Sequence, residues 1–309
     1  MKAVKRLACE LLPRGSWLGI SAATLAVACG GPPPSQFPTA DAALERMRAT
    51  QGCSRGVRAD AKIDYFGDEG RVRTSALFFA VRPENLRFDV LAPSNLGMAL
   101  ILTSDGERFA LADKLNGVFL NGPARTCNVE RFTQVPVPPH ALVTLMGGEA
   151  PVLVHEAAQA SIEWDGAFLG GGAYEINIRS KHEATQIIRL EPYDADWEKP
   201  WKEQRLRVVE VKVQQRDYVL YDAVLKDYEP AHTAKPFVDP DGLSADIPPS
   251  GPKCDAELPR SVRIEVPEQD KDLTMRIKSI EHNPPLLAGT FIQAPSGGMK
   301  IQQSYCEER

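Results

Sequence analysis

The fold of this chain is decided by residues 81–113, which read VRPENLRFDVLAPSNLGMALILTSDGERFALAD. Leu86, Phe88 and Val90 alternate with charged residues, the period of two that is typical of a strand with one apolar and one wet face. An apolar run follows at 98–102 and is closed by the turn sequence Ser-Asp-Gly-Glu, after which the alternation resumes. The stretch therefore predicts three successive strands.

A short loop, Pro-Ser-Asn-Leu-Gly at 93–97, separates the first two of these strands. Its one large apolar residue, Leu96, precedes Gly97 and has no apolar neighbour beside it. Two interpretations are open. Leu96 packs back onto its own fold, or the loop offers Leu96 to a membrane or to a lipid.

The order strand, P-x-x-L-G loop, strand, S-D-G-E-R, strand resembles the LolA/LolB-like lipoprotein-carrier group. Residues 136–142, PVPPHAL, resemble the P-x-P-x-x-x-L that opens a short helix on the LolB side of that group. A third match is LPRSVRI at 258–264, followed by a predicted strand at 273–280. Together the matches cover roughly residues 40–148 and 258–282.

The resemblance implies a curved sheet whose open side is plugged by short helices. It also implies a periplasmic LolA-like carrier as donor and a hand-over that uses no nucleotide at this component. Leu96 and Gly97 correspond to the loop that faces the membrane or lipid in that group.

The N-terminus has the features of an export signal. Basic residues precede an apolar stretch at 17–28, which ends in small residues and is too short to span a membrane stably. Cys29 follows directly and resembles the processed cysteine of bacterial lipoproteins, which implies a signal peptide at 1–28 and acylation of Cys29, for example by palmitate. Because Gly30 is not an aspartate, the resemblance implies an outer-membrane anchor with the domain in the periplasm.

Residues 29–38 contain Gly-Gly-Pro-Pro-Pro and are predicted to form a tether without structure of its own. A single domain then follows over residues 39–309. Its Pro-rich and aromatic part, 190–259, departs from the resembled group and is interpreted as one or more insertions.

Four cysteines remain after Cys9 and Cys29 are assigned to the signal and the lipid site. An even set in an exported chain indicates two disulfides rather than zinc, because no C-x-x-C spacing occurs. Of the three pairings that four cysteines allow, we predict Cys53–Cys127 and Cys254–Cys306, since each closes a loop within one half of the chain.

The rest of the domain repeats the alternating pattern. A helix is predicted from residue 39 or 41 to 51, and a second one at 140–146 with Pro139 as its first residue. Further strands are predicted at 57–66, 72–81, 160–164, 172–179, 184–190, 206–213, 217–225 and 262–266. We therefore predict a mainly β fold, a curved antiparallel half-barrel of about ten strands with a few short α-helices as its lid.

A half-barrel of this kind encloses apolar space between sheet and lid. We predict that the apolar residues on the inward face line this space, namely Phe88, Val90, Leu100, Ile176 and Ile264. Such a cavity accepts acyl chains, with a driving force proportional to the apolar area removed from water.

No catalytic or cofactor-binding motif is present in the sequence. The five histidines are widely spread, without H-E-x-x-H spacing, and no G-x-S-x-G elbow occurs. The formal net charge is −5, and an acidic chain without a basic stripe is a poor nucleic-acid binder. These observations predict a protein that is not an enzyme and needs no cofactor or metal.

Two hypotheses for function remain. In the first, a lipid-anchored outer-membrane protein binds acyl chains and helps to receive and insert lipoproteins or other lipids. In the second, an anchored interaction protein has the same fold with a filled core, and its Trp197 and Trp201 contact other envelope components. An open apolar cavity distinguishes the first from the second.

Overall fold

The computed structural model describes residues 31–67, 70–92, 97–133, 135–166, 168 and 171–306. Within these residues the chain forms three α-helices, namely α1 (Ala40–Thr50), α2 (Thr126–Thr133) and α3 (Pro139–Met146). It also forms fifteen strands: β1 (Gly56–Gly67), β2 (Gly70–Val81), β3 (Asn85–Leu91), β4 (Met98–Asp105), β5 (Arg108–Asp113), β6 (Val118–Pro123), β7 (Ala160–Asp165), β8 (Ala173–Arg179), β9 (Ala184–Pro192), β10 (Leu206–Gln215), β11 (Tyr218–Pro230), β12 (His232–Thr233), β13 (Glu257–Val266), β14 (Lys271–His282) and β15 (Lys300–Gln303).

All the strands belong to one open, curved sheet with the order β15-β6-β5-β4-β3-β2-β1-β14-β13-β11-β10-β9-β8-β7, and β12 pairs with β14. The prediction of a mainly β, antiparallel half-barrel is confirmed. Strands β6, β12 and β15 were not predicted. β6 lies in a proline-rich stretch, β12 has only two residues, and β15 has the mostly polar sequence Lys-Ile-Gln-Gln, so none shows a clear alternation.

The inner face of the sheet is an apolar layer that runs across neighbouring strands. Ala59 lies opposite Phe78, Phe78 opposite Phe88, Phe88 opposite Leu102, and Leu102 opposite Leu111. All five side chains are buried. Each large apolar side chain buried in this way contributes about 1.5–3 kcal/mol to the free energy of unfolding, so the layer is the main source of stability.

Helix α1 begins where the sequence places a cap. The Oγ1 atom of Thr39 accepts a hydrogen bond from the amide of Ala42 at 3.2 Å, which satisfies a helix N–H that has no partner within the helix. Leu44 and Met47 are buried on one side of the helix. The predicted first helix is therefore confirmed, with Thr39 as its cap.

Helix α3 packs its apolar stripe onto the concave side of β2 and β3. Pro139 is its first residue, and Leu142, Leu145 and Met146 are buried, as predicted. Proline suits this position because its ring fixes φ near the helical value and its missing N–H would have no helical partner.

The alternation predicted a wet outer face for β3, but this face is covered. The C-terminal segment 284–299 crosses it. Asp89 is 4% exposed, and its carboxylate accepts a hydrogen bond from the Nε of Arg87 at 2.9 Å. The guanidinium of Arg87 in turn donates to the carbonyl of Thr290 at 3.0 Å. Pairing within the covered layer compensates the loss of hydration of both charges.

The predicted disulfide pairing was wrong. The structure joins Cys53 to Cys254 and Cys127 to Cys306, with Cα–Cα distances of 5.2 and 6.3 Å. Both bonds link distant parts of the chain because β1 pairs with β14 and β15 pairs with β6. Closeness in sequence was therefore the wrong criterion for choosing partners.

The N-terminal segment contacts the domain before residue 39, where the domain was predicted to begin. The Oγ of Ser35 accepts a hydrogen bond from the amide of Trp201 at 3.0 Å, and the carbonyl of Ser35 accepts one from the side chain of Gln204 at 2.9 Å. The ring of Phe37 packs against Tyr174, with 5.1 Å between centroids. Part of the predicted tether is thus attached to the connection between β9 and β10.

Candidate functional site

A cavity of about 520 Å³ lies between the helices and one end of the sheet. Its floor is formed by β9, β10 and β11, and its cover by α2, the segment before α3, the first turn of α3 and residues 151–153. The lining residues are Thr126, Cys127, Glu130, Pro136, Pro138, His140, Ala141, Pro151, Val152, Leu153, Gln186, Val213, Leu220 and Tyr221. Most of them present apolar atoms.

A β-bulge supplies two neighbouring residues to the floor. Val213 pairs with Tyr221 and Gln214 with Val219, so Leu220 has no partner on β10. An extra residue of this kind bends the strand and redirects its side chains. As a result, the consecutive residues Leu220 and Tyr221 both line the cavity, although regular alternation would send one of them to the opposite face.

One wall of the cavity is held in place by a buried glutamine. The side chain of Gln186, which is 1% exposed, donates to the carbonyl of Pro151 at 2.6 Å and accepts from the amide of Leu153 at 2.9 Å. The extended segment 151–153 has no strand partner of its own. The two hydrogen bonds of Gln186 therefore replace the backbone ladder that would otherwise fix this wall.

Helix α2, which covers the other side, is tied to the C-terminal segment. Cys127, a lining residue, is bonded to Cys306. Asn128 is fully buried; its side-chain amide donates to the carbonyl of Pro123 at 2.8 Å, and its Oδ1 accepts from the hydroxyl of Ser304 at 2.6 Å. These bonds fix the cover over the floor.

The polar groups of the cavity carry little uncompensated charge. The carboxylate of Glu130 lies 3.7 Å from the Nζ of Lys271, so an opposite charge accompanies it. Burial raises the pKa of the Tyr221 hydroxyl above its ordinary value of 10, and this group stays protonated near neutral pH. The cavity thus suits an apolar ligand with a small polar part.

The predicted cavity-lining residues lie elsewhere. Phe88, Ile176 and Ile264 belong to the closed core, Val90 is buried and Leu100 is partly buried against that core. None of the five belongs to the lining of the cavity described above. The helices fill the concave face there; the ring of Phe88, for example, lies 5.6 Å from that of Phe132 in α2.

The structure describes only one of the two residues of the predicted lipid-facing loop. Gly97 is exposed with a φ of +98°, a conformation that glycine adopts at no steric cost. Leu96 and the predicted lipidation residue Cys29 lie outside the described residues.

Sequence reasoning missed α2 and with it half of the cavity cover. The segment 116–139 contains four prolines, which disfavour a regular helix or strand. The available signal was the spacing of Val129 and Phe132, three residues apart, which places both on one face of a helix. The bulge at Leu220 has no comparable signal.

Metal sites and membrane-spanning helices are two further features that bear on function. No group of three or more His, Cys, Asp or Glu side chains that would hold a metal occurs among the described residues. No helix within the described ranges is both long and apolar enough to cross a bilayer.

No protein-family model and no curated protein matches this chain. Among solved structures, it is similar to a putative outer membrane lipoprotein-sorting protein domain from Vibrio parahaemolyticus, at 11% identity and a TM-score of 0.46, over 81% of this chain and 94% of that one. It is similar to a DUF1329 family protein from Desulfovibrio piger at 8% identity and a TM-score of 0.48, over 81% and 94% of the two chains. It is also similar to a LolA superfamily protein from Nitrosomonas europaea at 9% identity and a TM-score of 0.48, over 83% and 99%.

Proposed function

We propose that this protein binds an acyl chain in the cavity between α2, α3 and strands β9–β11. The observation that carries the proposal is the cavity itself, whose volume of about 520 Å³ falls within the range of about 300–1,000 Å³ typical of small-molecule sites. Its floor residues Val213 and Leu220 are apolar, and the Tyr221 hydroxyl and the Glu130 carboxylate offer polar contacts. An amphiphile with one acyl chain matches this combination.

The cellular setting of the proposal is the bacterial envelope. Acylation of Cys29 would anchor the chain to the outer membrane, and two disulfides are compatible with an oxidising compartment outside the cytoplasm. Within that setting, the sequence resemblance supports a protein that receives lipoproteins or other lipids from a LolA-like periplasmic carrier. Leu96 and Gly97 would then act at the loop that meets the lipid, and no catalytic step is involved.

The cavity assignment is tested by filling the cavity. The change Val152→Trp places a large ring on the wall of the cavity, because Val152 is a partly buried lining residue. The matched control is Val154→Trp, two residues further along the same segment, where the side chain is 80% exposed. Both variants would be made in a soluble form that lacks residues 1–28 and carries Cys29→Ala.

Binding would be followed with a fluorescent fatty acid, and co-purifying lipid by native mass spectrometry. We expect the parent and Val154→Trp to bind with equal affinity and Val152→Trp to bind at least tenfold more weakly, which corresponds to a loss of about 1.4 kcal/mol. Equal binding by all three forms would place the ligand elsewhere. No binding by the parent would remove the acyl-chain proposal.

The second candidate function is an interaction protein with a filled core. The dense packing around Phe88, Ile176 and Ile264 favours it. Its predicted contact residues use part of their surface within the fold and leave the rest exposed: the ring of Trp197 packs edge-on against Trp164 at 5.6 Å, and Trp201 packs against Phe37 at 5.6 Å. The absence of fatty-acid uptake in the experiment above would support this candidate.

A further inference from the structure

The attachment of the N-terminal segment limits how the protein is oriented at a membrane. Ser35 is fixed by its hydrogen bonds to Trp201 and Gln204, and Pro33 is already buried. Five residues lie between Cys29 and Ser35, which makes six steps along the chain, and a fully extended chain spans at most about 3.6 Å per step. A lipid on Cys29 therefore lies within about 20 Å of Ser35.

The point of attachment and the cavity lie at opposite ends of the sheet. The tether end is the connection 193–205, which receives Ser35. The cavity end is the end of the sheet at the β10–β11 turn, 216–217. Strand β10, which begins two residues after Gln204 at the tether end, leads to Val213 in the cavity floor. The nine steps from residue 204 to residue 213 at about 3.3 Å each cover roughly 30 Å, more than the tether spans.

We propose that the tether end faces the bilayer that holds the lipid on Cys29 and that the cavity opens away from it, toward the aqueous phase. The inference rests on the lipid anchor of the proposed function, and the partner of the tether end is the lipid surface. Ser35 is fixed to the domain, and about 20 Å of chain at most joins it to the anchor. The protein therefore cannot present the cavity end to the same bilayer without detaching Ser35.

The aromatic residues of the tether end suit contact with a lipid surface, while its four acidic and three basic side chains nearly balance in charge. Trp197 and Trp201 are each partly exposed there, and tryptophan is enriched where membrane and water meet. The ammonium group of Lys202 lies 5.5 Å from the ring of Trp201. A long basic side chain beside an aromatic ring can pair with lipid phosphate while the ring remains at the headgroup level.

The orientation determines where a ligand enters. Strands β3 and β4 flank the loop 93–97, and antiparallel neighbours alternate in direction. Leu91, the last residue of β3, and Met98, the first residue of β4, therefore lie at the cavity end of the sheet. Both the cavity and this loop would thus meet an incoming donor from solution. Ligand taken directly from the anchoring bilayer is not expected.

The orientation is tested with fluorophores at the two ends of the acylated full-length chain. The changes Glu203→Cys at the tether end and Arg216→Cys at the cavity end introduce single reactive thiols at exposed positions, because the four cysteines of the domain are in disulfides. Each labelled protein is reconstituted into vesicles of phosphatidylethanolamine and phosphatidylglycerol that carry a nitroxide quencher in the headgroup.

We expect several-fold stronger quenching at position 203 than at position 216. A third form, with about twenty Gly and Ser residues inserted between Gly30 and Gly31, should lose much of this difference because a long flexible linker removes the restraint. Equal quenching at both positions with the natural tether, stronger quenching at 216, or a full-length chain without a lipid anchor would overturn the inference. The quenching experiment does not measure fatty-acid uptake. A failure of the cavity assignment would therefore appear in the fatty-acid titration and not in the quenching at positions 203 and 216.

Discussion

The side-chain amide of Gln186 in β9 joins the carbonyl of Pro151 at 2.6 Å, and its oxygen holds the amide of Leu153 at 2.9 Å. A single polar residue of the sheet thereby positions a wall of the cavity that has no ladder of its own. The relationship connects stability to binding, because the same two hydrogen bonds serve both.

The change Gln186→Leu is expected to lower the free energy of unfolding by about 1–3 kcal/mol, since two partly buried backbone groups lose their partners. Fatty-acid affinity should fall as well because residues 151–153 are released. Urea unfolding and the fluorescence titration measure the two effects. The control is Gln303→Leu at an exposed position of β15, where neither quantity should change. An unchanged midpoint for Gln186→Leu would contradict this role.

The change Cys53→Ser together with Cys254→Ser is expected to lower the free energy of unfolding by about 2–5 kcal/mol, because the bond closes a long loop in the unfolded chain. Its two cysteines are 201 residues apart. Mass spectrometry of the non-reduced, digested protein should first show peptides that join Cys53 to Cys254. Peptides that join Cys53 to Cys127 would restore the pairing predicted from sequence and contradict the β1–β14 pairing that brings Cys53 close to Cys254.

Asp222 gives a prediction for pH dependence. Burial, with the nearby carboxylates of Glu210 and Glu265, raises its pKa to about 6, against partial compensation by Lys212 and Arg189. A carboxyl whose pKa is raised in the folded state binds its proton more tightly there than in the unfolded chain. Its contribution to stability is therefore full below about pH 4 and is lost as pH rises through about 6.

The change Asp222→Asn should remove this dependence. We expect the variant to be more stable than the parent by roughly 1–2 kcal/mol at pH 8 and no more stable at pH 4. Urea unfolding at the two pH values measures the difference. The same stability difference at both pH values would show that Asp222 does not titrate as inferred.

The change Leu96→Glu tests the loop that the resemblance assigns to lipid contact. A carboxylate in place of an apolar side chain opposes contact with the acyl chains of an incoming lipoprotein, so transfer of lipoprotein from the donor should fall roughly tenfold, as for about 1.4 kcal/mol of lost interaction. Fatty-acid binding and thermal unfolding should stay unchanged. The control is Leu115→Glu, which replaces a leucine in the β5–β6 turn that is 67% exposed. Undiminished transfer by Leu96→Glu would exclude the loop from the hand-over.

Local patterns in the sequence were sufficient for the fold class. The alternation around Phe88 and its repetition along the chain predicted a mainly β sheet, and the sheet is present. The first residues of two helices, Ala40 and Pro139, were found from capping and proline rules. These features depend on neighbours a few positions apart, which is the range over which sequence patterns are informative.

The candidate site could not be predicted in the same way. Its floor depends on the bulge at Leu220 and its wall on Gln186, and both reflect pairing between separate strands. The five residues nominated from alternation are buried or partly buried in the core, and at Phe88 the concave face is filled by Phe132 of α2. Alternation shows which residues share a face; it does not show what covers that face.

The sequence by itself determined that the chain forms an antiparallel sheet with short helices and that four of its cysteines form two bonds. Only the tertiary structure decided which cysteines meet, that the C-terminal segment buries Asp89 on the outer face, and that the cavity lies at the end of β10 opposite Ser35. The physical reason is that secondary structure follows from local backbone and side-chain preferences. Partners, covers and cavities follow from strand order, which brings residues about 200 positions apart into contact.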